Sequence, residues 1–334
     1  MTEYDLIRRL VHGLPRAPQQ RNGPFECDAE LVDLAGGLWA LSIDEFSAAE
    51  DRFGEADPVL LGANLATATL ADILAAGAEP RFLLQALALP PDAALAFVDG
   101  LMQGLRSVLD PAGCAILGGD LGTAPSGWRF TGCALGPVPG GRALTRRLPP
   151  AAQTLWLTGA VGDANLAAVQ GRAAPRFEYR GPTAAIVRQV GTACIDTSGG
   201  LADALWLLHE QSPGLELEVD LDTVPLAPGI AEFAAHATVP AEAFLLGGAG
   251  EYELLFVTPA GLAAPARAEL AALGAVPIGR AAPGNVPGVT FLRRQGTVGR
   301  MAGPPPCPRT ARSTDEHVAA VIAMAHALFG GRHG

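Results

Sequence analysis

Cysteine is scarce in this chain. Cys27, Cys114, Cys133, Cys194 and Cys307 are the five in 334 residues, an odd number with no metal-ligand spacing. That argues against a disulfide framework and a thiolate metal site. Cys114, Cys133 and Cys194 lie in apolar, strand-like runs and read as small hydrophobes. Aromatic residues make up only 6%, and 23 Lys and Arg face 34 Asp and Glu, for a net charge of −11. With no basic run carrying interleaved aromatics, nucleic acid is not an expected partner. An uncharged apolar run of about 18 residues, the length that spans a bilayer, is missing. So is a charged N-terminal stretch followed by an apolar one. The expectation is a cytoplasmic protein with no membrane partner. Neither a G-x-S-x-G elbow nor a G-x-x-x-x-G-K-[ST] loop occurs. The six histidines are scattered without a zinc pattern and read as structural or solvated.

What is abundant is small and apolar: 49% hydrophobic residues, 41 Gly and 28 Pro. Gly and Pro are spread as turn punctuation, which suits an α/β protein with ordinary cores. The length suggests two domains. The expected division is residues 1–148, 149–300 and a Pro-rich linker with a terminal helix at 301–334. The first part reads β-β-α-β-α-β-β. Gly36-Gly37 between two apolar runs predicts a hairpin ending at Asp44. Asp57-Pro58 opens a helix over 58–76, apolar on most sides yet carrying Asn64 and Asp72. A second helix is expected over about 93–109. In the second part, strands are predicted at 154–158, 193–197, 215–219, 253–257, 276–279 and 289–293. The charge alternation of 215–219 suggests an edge or half-exposed strand. A final amphipathic helix is expected at about 315–329.

The most informative stretch is Cys114-Ala115-Ile116-Leu117-Gly118-Gly119-Asp120-Leu121-Gly122-Thr123. It reads as a buried strand whose exit turn holds Asp120, with two glycines that let a phosphate or backbone come close. Asp28, Asp44 and Asp72 share a related context beside strands or within the buried helix. Gathered within about 6 Å, such carboxylates repel one another and their pKa values rise. Divalent cations on a nucleotide triphosphate remove that cost. Spacing alone leaves open whether they gather or serve as four separate caps and surface groups. The Gly-rich exits Gly159…Gly162-Asp163 and Ser198-Gly199-Gly200 offer helix-start N–H groups that can cradle phosphate or simply turn the chain. Gly247-Gly248-Ala249-Gly250, before Glu251-Tyr252-Glu253, reads either as a loop closing on a ligand or as a flexible connector.

Taken in order, these stretches resemble the thiamine-monophosphate kinases, in the superfamily of aminoimidazole-ribonucleotide synthetase and selenophosphate synthetase. The segments are Leu41-Ser42-Ile43-Asp44, Thr69-Leu70-Ala71-Asp72, Gly118-Gly119-Asp120, Gly140 to Arg146, Gly162-Asp163-Ala164, Cys194 to Leu201, and Glu251 to Phe256. The resemblance spans roughly residues 3–295. It implies a mixed N-terminal sheet with helices on one face, dimerising through that sheet, and a C-terminal α/β sandwich. It implies Mg²⁺ on Asp28, Asp44, Asp72 and Asp120, and ATP against Gly118, Gly119, Asp120, Arg146, Gly162 and Asp163. Asp120, Asp196 and Ser198 would act at the transferred phosphoryl group, with Glu251 and Tyr252 on a small phosphate substrate. The implied reaction is in-line phosphoryl transfer to thiamine phosphate, driven by positioning and charge neutralisation. The pattern is broken in places. Glu26-Cys27-Asp28 replaces Gly-Asp-Asp, Thr69-Leu70-Ala71-Asp72 replaces Asn-Leu-Ser-Asp, Leu121-Gly122 replaces two threonines, and Ser198-Gly199-Gly200 replaces Ser-Asp-Gly. A paralogue acting on another phosphate, carboxylate or amide, and a non-catalytic nucleotide-binding protein, are the alternative readings.

Overall fold

Two β-sheets, each with its own helices, make up the computed structural model, which describes residues 3–34, 36–284 and 288–330. Along the first part run α1 (Glu3–Val11), β1 (Glu30–Leu34), β2 (Gly37–Ser47), α2 (Pro58–Ala75), β3 (Phe82–Leu89), α3 (Leu95–Ala112), β4 (Ala115–Thr123) and β5 (Arg129–Pro137). The second part contains β6 (Gln153–Thr158), α4 (Asp163–Gln170), α5 (Gly181–Val190), β7 (Ala193–Asp196), α6 (Leu201–Glu210), β8 (Leu215–Asp220) and α7 (Ile230–Ala237). It continues through α8 (Ala243–Leu246), β9 (Leu254–Pro259), α9 (Ala264–Ala272), β10 (Ala275–Pro283), β11 (Val289–Arg293), β12 (Gly296–Met301) and α10 (Thr314–Phe329).

The first sheet has the order β1-β2-β5-β3-β4, antiparallel except for the parallel β3–β4 pair. Strand alternation turns Ala40, Leu83, Phe130 and Ala134 inward, all fully buried under α2 and α3. The opposite face stays open: Ile43 is 69% exposed and Leu117 57%. This is the expected mixed sheet with helices on one face. α2 starts at Asp57, whose carboxylate accepts N–H bonds from Val59 (3.0 Å) and Leu60 (3.1 Å), satisfying donors that the first turn leaves unpaired. Gly62 and Gly104 let α2 and α3 cross backbone on backbone, since a methyl at either would overlap a carbonyl of the other helix. By length and composition α2 could cross a membrane, although Asp72 keeps it from being an uncharged apolar run. However, 78% of it is buried inside the protein, as befits a core helix.

The second sheet runs β12-β11-β8-β10-β6-β9-β7. One face packs Leu155, Leu157, Leu255 and Val257 with residues of α6, α8 and α10. The other packs Trp156, Leu254 and Phe256 with α5 and α9, and Leu74 of α2 joins that cluster. The result is an α/β sandwich with α2 wedged against it. β8 is an interior strand between β10 and β11, and of its two expected placements it takes the half-exposed one, with its charges on the half-buried positions. Two other expectations fail here. β12 was not anticipated, because Gly296-Thr297-Val298-Gly299-Arg300 has little strand character. And β4 is an exposed edge strand running to Thr123, so Asp120 lies within a strand rather than in an exit turn.

Candidate metal and nucleotide site

The two sheets meet at a seam laced by the connector 144–146. Arg146 N–H bonds Glu26 O (2.8 Å) and Cys194 N–H bonds Thr145 O (3.0 Å), while the Cys27 thiol donates to Leu144 O (3.3 Å). The seam holds Asp28 and Asp196 face to face. Asp28 accepts the Asp196 N–H at 3.1 Å on one carboxylate oxygen and the Arg146 Nε–H at 2.6 Å on the other. Its side chain is fully buried. Asp72 projects from α2 into the same space, taking a hydrogen bond from the Ser42 hydroxyl on β2. Carboxylate oxygens of Asp28, Asp72 and Asp196 lie within 4.8 Å of one another.

Asp44 is two residues beyond Ser42 on the inward face of β2, and its charge acts on Asp72. Burial, then the mutual repulsion of the acids, raises their pKa values and disfavours ionisation. Asp44 is pushed up to about 6 and Asp196 to about 7. Asp72 is pushed well above the usual carboxylate range. Asp28 is raised mainly by burial, with Arg146 opposing. Burial works against the Arg146 charge, but the surrounding acids hold it protonated. The Oδ2 atoms of Asp44 and Asp196 are buried with no hydrogen-bond partner among the described residues. Orphaned carboxylate oxygens in a cluster of hard ligands fit a divalent cation such as Mg²⁺.

Other expected site residues fall elsewhere. Asp120 is exposed on β4, paired with Ala86 in the row of Thr131 and Glu45. Asp44 lies one row over, with Gly132, Gln85 and Gly119, and successive strand residues point to opposite faces. Asp120 therefore belongs to the open face of the sheet, with Gly118 and Gly119 beside it on the edge strand, and stands apart from the four acids. Gly162 and Asp163 do start a helix, but their phosphate cradle is taken. Glu251 accepts the N–H groups of Gly162 (2.8 Å) and Ala164 (2.9 Å), and Asp163 pairs with Arg172. Glu251 thus caps α4, which removes it from the expected substrate role. Arg146 is committed to Asp28. Ser198 is oriented onto the cluster, its hydroxyl donating to Asp196 Oδ1 at 2.7 Å. Tyr252, at φ +58°, packs on Phe177 (4.9 Å) and Phe53 (6.0 Å). Burial first, then nearby acids including Asp196 and Asp44, raise its phenol well above 10, so it lines the site as a neutral donor.

Sequence reasoning missed two features. The Asp203 carboxylate, in the first turn of α6, lies against Gly199, the position at which the resemblance places an acid. Asp51, from the loop after β2, adds its charge near Tyr252. The offset of Asp203 from the Ser-Asp-Gly position concealed the first, and a polar loop concealed the second.

The N-terminal domain model of AIR synthase related proteins matches residues 27–138. The thiamine-monophosphate kinase of Synechococcus elongatus is 30% identical over 230 residues, 61% of this chain and 67% of its own. That of Salmonella typhimurium is 28% identical over 66% of this chain and 71% of its own. The chain belongs to the thiamine-monophosphate kinase family. Among solved structures, the thiamine-monophosphate kinase of Stenotrophomonas maltophilia superposes with a TM-score of 0.68 at 24% identity, over 87% of this chain and 96% of that one. The hydrogenase maturation protein HypE of E. coli superposes at 0.69 and 20% identity, over 94% and 99%. The family thus shares its fold with a protein of another name, and side chains at the seam must distinguish members.

Proposed function

We propose that the protein is an ATP- and Mg²⁺-dependent kinase that phosphorylates thiamine phosphate to thiamine diphosphate. The observation that carries this reading is the convergence of Asp28, Asp72 and Asp196 from both domains, with Asp44 acting on Asp72 beside them and the Oδ2 atoms of Asp44 and Asp196 left without a hydrogen-bond partner among the described residues. Those carboxylates would hold a divalent cation, which when bound would supply charge neutralisation at the phosphates. Around it, Arg146 fixes Asp28, Ser42 fixes Asp72 and Ser198 orients Asp196, so ligand geometry is set before substrate enters. The acceptor's phosphate oxygen attacks the γ-phosphorus and ADP leaves. Family membership supports the acceptor, and a solved relative is described as complexed with AMPPCP and TMP.

Asp120 would enter the site only from a second copy docked on the open face of the first sheet. Ile43, Leu84 and Leu117, each 44% exposed or more, would be covered by such a homodimer. Assay of purified protein with Mg-ATP and thiamine phosphate, reading thiamine diphosphate by chromatography, tests the function. Turnover that vanishes in EDTA is expected. Mg-ATP binding without turnover on thiamine phosphate would move the assignment to a paralogue with another acceptor.

A further inference from the structure

A cavity lies where one end of the first sheet meets α5, on the far side of α2 from the acids. Its volume is about 500 Å³, within the roughly 300–1,000 Å³ of small-ligand sites, which favour domain junctions. Leu74 of α2 lines it. Leu74 follows Asp72 by two residues, and two helical steps of about 100° each turn it away from the acid cluster. The body of α2 therefore separates the cavity from the metal site.

Both domains supply its walls. Trp39, near the start of β2, and Phe82, at the start of β3, stack with ring centroids 6.3 Å apart and planes 8° from parallel. Alternation puts both on the sheet face that carries Ile43 and Leu84, but Trp39 stands four residues from Ile43, about 13 Å along the strand. The two rings are half-buried, so at this end of the sheet they offer a surface on which another planar ring can stack. From the other domain come Tyr179 and the α5 residues Ala184 and Arg188. A Cβ on Gly181 would sit 2.5 Å from the Tyr179 hydroxyl, so it is the glycine that lets the phenol lie across the start of the helix.

The polar groups on these walls are mostly donors. Glu79 is the acid among the lining residues, and Arg188 pairs with it at 2.8 Å across the domains. Arg81 also lines the cavity and is exposed, and its guanidinium has no ion pair or hydrogen bond among the described residues. Two guanidiniums against one carboxylate leave one positive charge uncompensated, on a chain whose net charge is −11. The Tyr179 hydroxyl and the Trp39 indole N–H have no hydrogen-bond partner among the described residues either. Burial, then the nearby Cys114 and Glu79, push the phenol up to about 12, so its hydroxyl keeps the proton and donates. A stacking surface beside free donors and an unpaired guanidinium complements a flat ring that carries an acidic group, since a guanidinium forks onto the oxygens of such a group.

We propose that this cavity is a binding site for a small aromatic anion, a planar ring bearing a carboxylate, sulfonate or phosphate, held by Trp39 and Phe82 through the ring and by Arg81 and Tyr179 through the anion. The site goes beyond the kinase reading above and does not depend on it.

Fluorescence titration of the full chain with anilinonaphthalene sulfonate tests this on wild type, Arg81→Ala and Tyr179→Phe, with Mg-ATP saturating to keep the probe out of the metal site. Phenylnaphthylamine, the same ring system without the sulfonate, is the companion probe. Wild type should bind the sulfonate saturably at one site per chain. Loss of a charged hydrogen bond should weaken that binding by about tenfold or more in Arg81→Ala, and loss of a neutral one by about threefold in Tyr179→Phe. The uncharged probe should bind wild type and Arg81→Ala alike. Circular dichroism and melting temperature should stay close to wild type, because Arg81 is exposed and Phe keeps the ring at 179. A wild type with no saturable sulfonate binding overturns the proposal, as does equal sulfonate affinity in wild type and Arg81→Ala. Parallel loss of both probes in Arg81→Ala also overturns it, because a collapsed wall and not a recognised anion would then be the cause. A wild type that binds no Mg-ATP defeats the kinase reading alone and leaves the comparison of the two probes standing.

Discussion

Replacing Asp196 by Asn should make the metal-free protein more stable and the metal-bound protein less so. Burial and the neighbouring charge of Asp28 push Asp196 up to about 7 from an ordinary 3.8. Its folded-state pKa is raised, so the stabilisation belongs to the protonated form and is lost as pH rises through about 7. At pH 8 the folded carboxylate is ionised at a penalty of about three pKa units, each worth about 1.4 kcal/mol. Sharing of that penalty among coupled acids reduces what one substitution recovers. A gain on the order of 2 to 4 kcal/mol is expected, or roughly 5–10 °C in melting temperature. Asn keeps the acceptor that Ser198 uses. The assay is thermal unfolding at pH 8 in EDTA and in saturating Mg²⁺. Wild type should rise strongly with Mg²⁺ and the variant little, so the two curves should cross. A variant less stable than wild type in EDTA would mean that the carboxylate is satisfied within the protein, and the reasoning from orphaned oxygens would fail.

Three further outcomes follow from the same geometry. Because Asp44 and Asp196 are raised from 3.8 to about 6 and 7, the metal-free wild type should lose stability steadily between about pH 4 and pH 7, and Mg²⁺ should flatten that slope in a melting-temperature series. Arg180→Ala strips the ion pair from Glu253, whose side chain is 5% exposed. It should cost about 3–5 kcal/mol by denaturant titration, with most recovered in the double variant that also carries Glu253→Gln. Ile43→Asp with Leu84→Asp on the open sheet face should turn a dimer into a monomer in sedimentation while the circular dichroism is retained. A wild type that sediments as a monomer would remove Asp120 from the site altogether.

Much of the architecture was legible because its signals are local. The Gly36-Gly37 hairpin and the Asp57-Pro58 helix start each rest on turn or cap chemistry that acts within a few residues. Asp28, Asp44 and Asp72 were legible as candidates because a carboxylate beside a strand or in an apolar helix needs a reason, whereas Asp196 was marked only by the family resemblance. Asp120 misled for a physical cause. Two glycines before an acid look like an exit turn, but Gly118 and Gly119 accommodate an irregular edge strand, where Gly119 approaches the Gln85 carbonyl too closely for a side chain. Glu251 was misread because a helix cap and a ligand-binding acid look alike until the helix that it caps is located in space. Asp203 lies against Gly199 from within α6, and nothing in its immediate sequence marks it.

The central claim is that the seam carboxylates hold a divalent cation that in turn holds a nucleotide. Titration of ATP into the metal-stripped protein, followed by the same titration with Mg²⁺ present, tests it most directly. Binding that requires the metal, and that Asp196→Asn weakens by about tenfold or more, is the predicted result. ATP binding of equal strength in EDTA, or an affinity indifferent to Asp196, would contradict it.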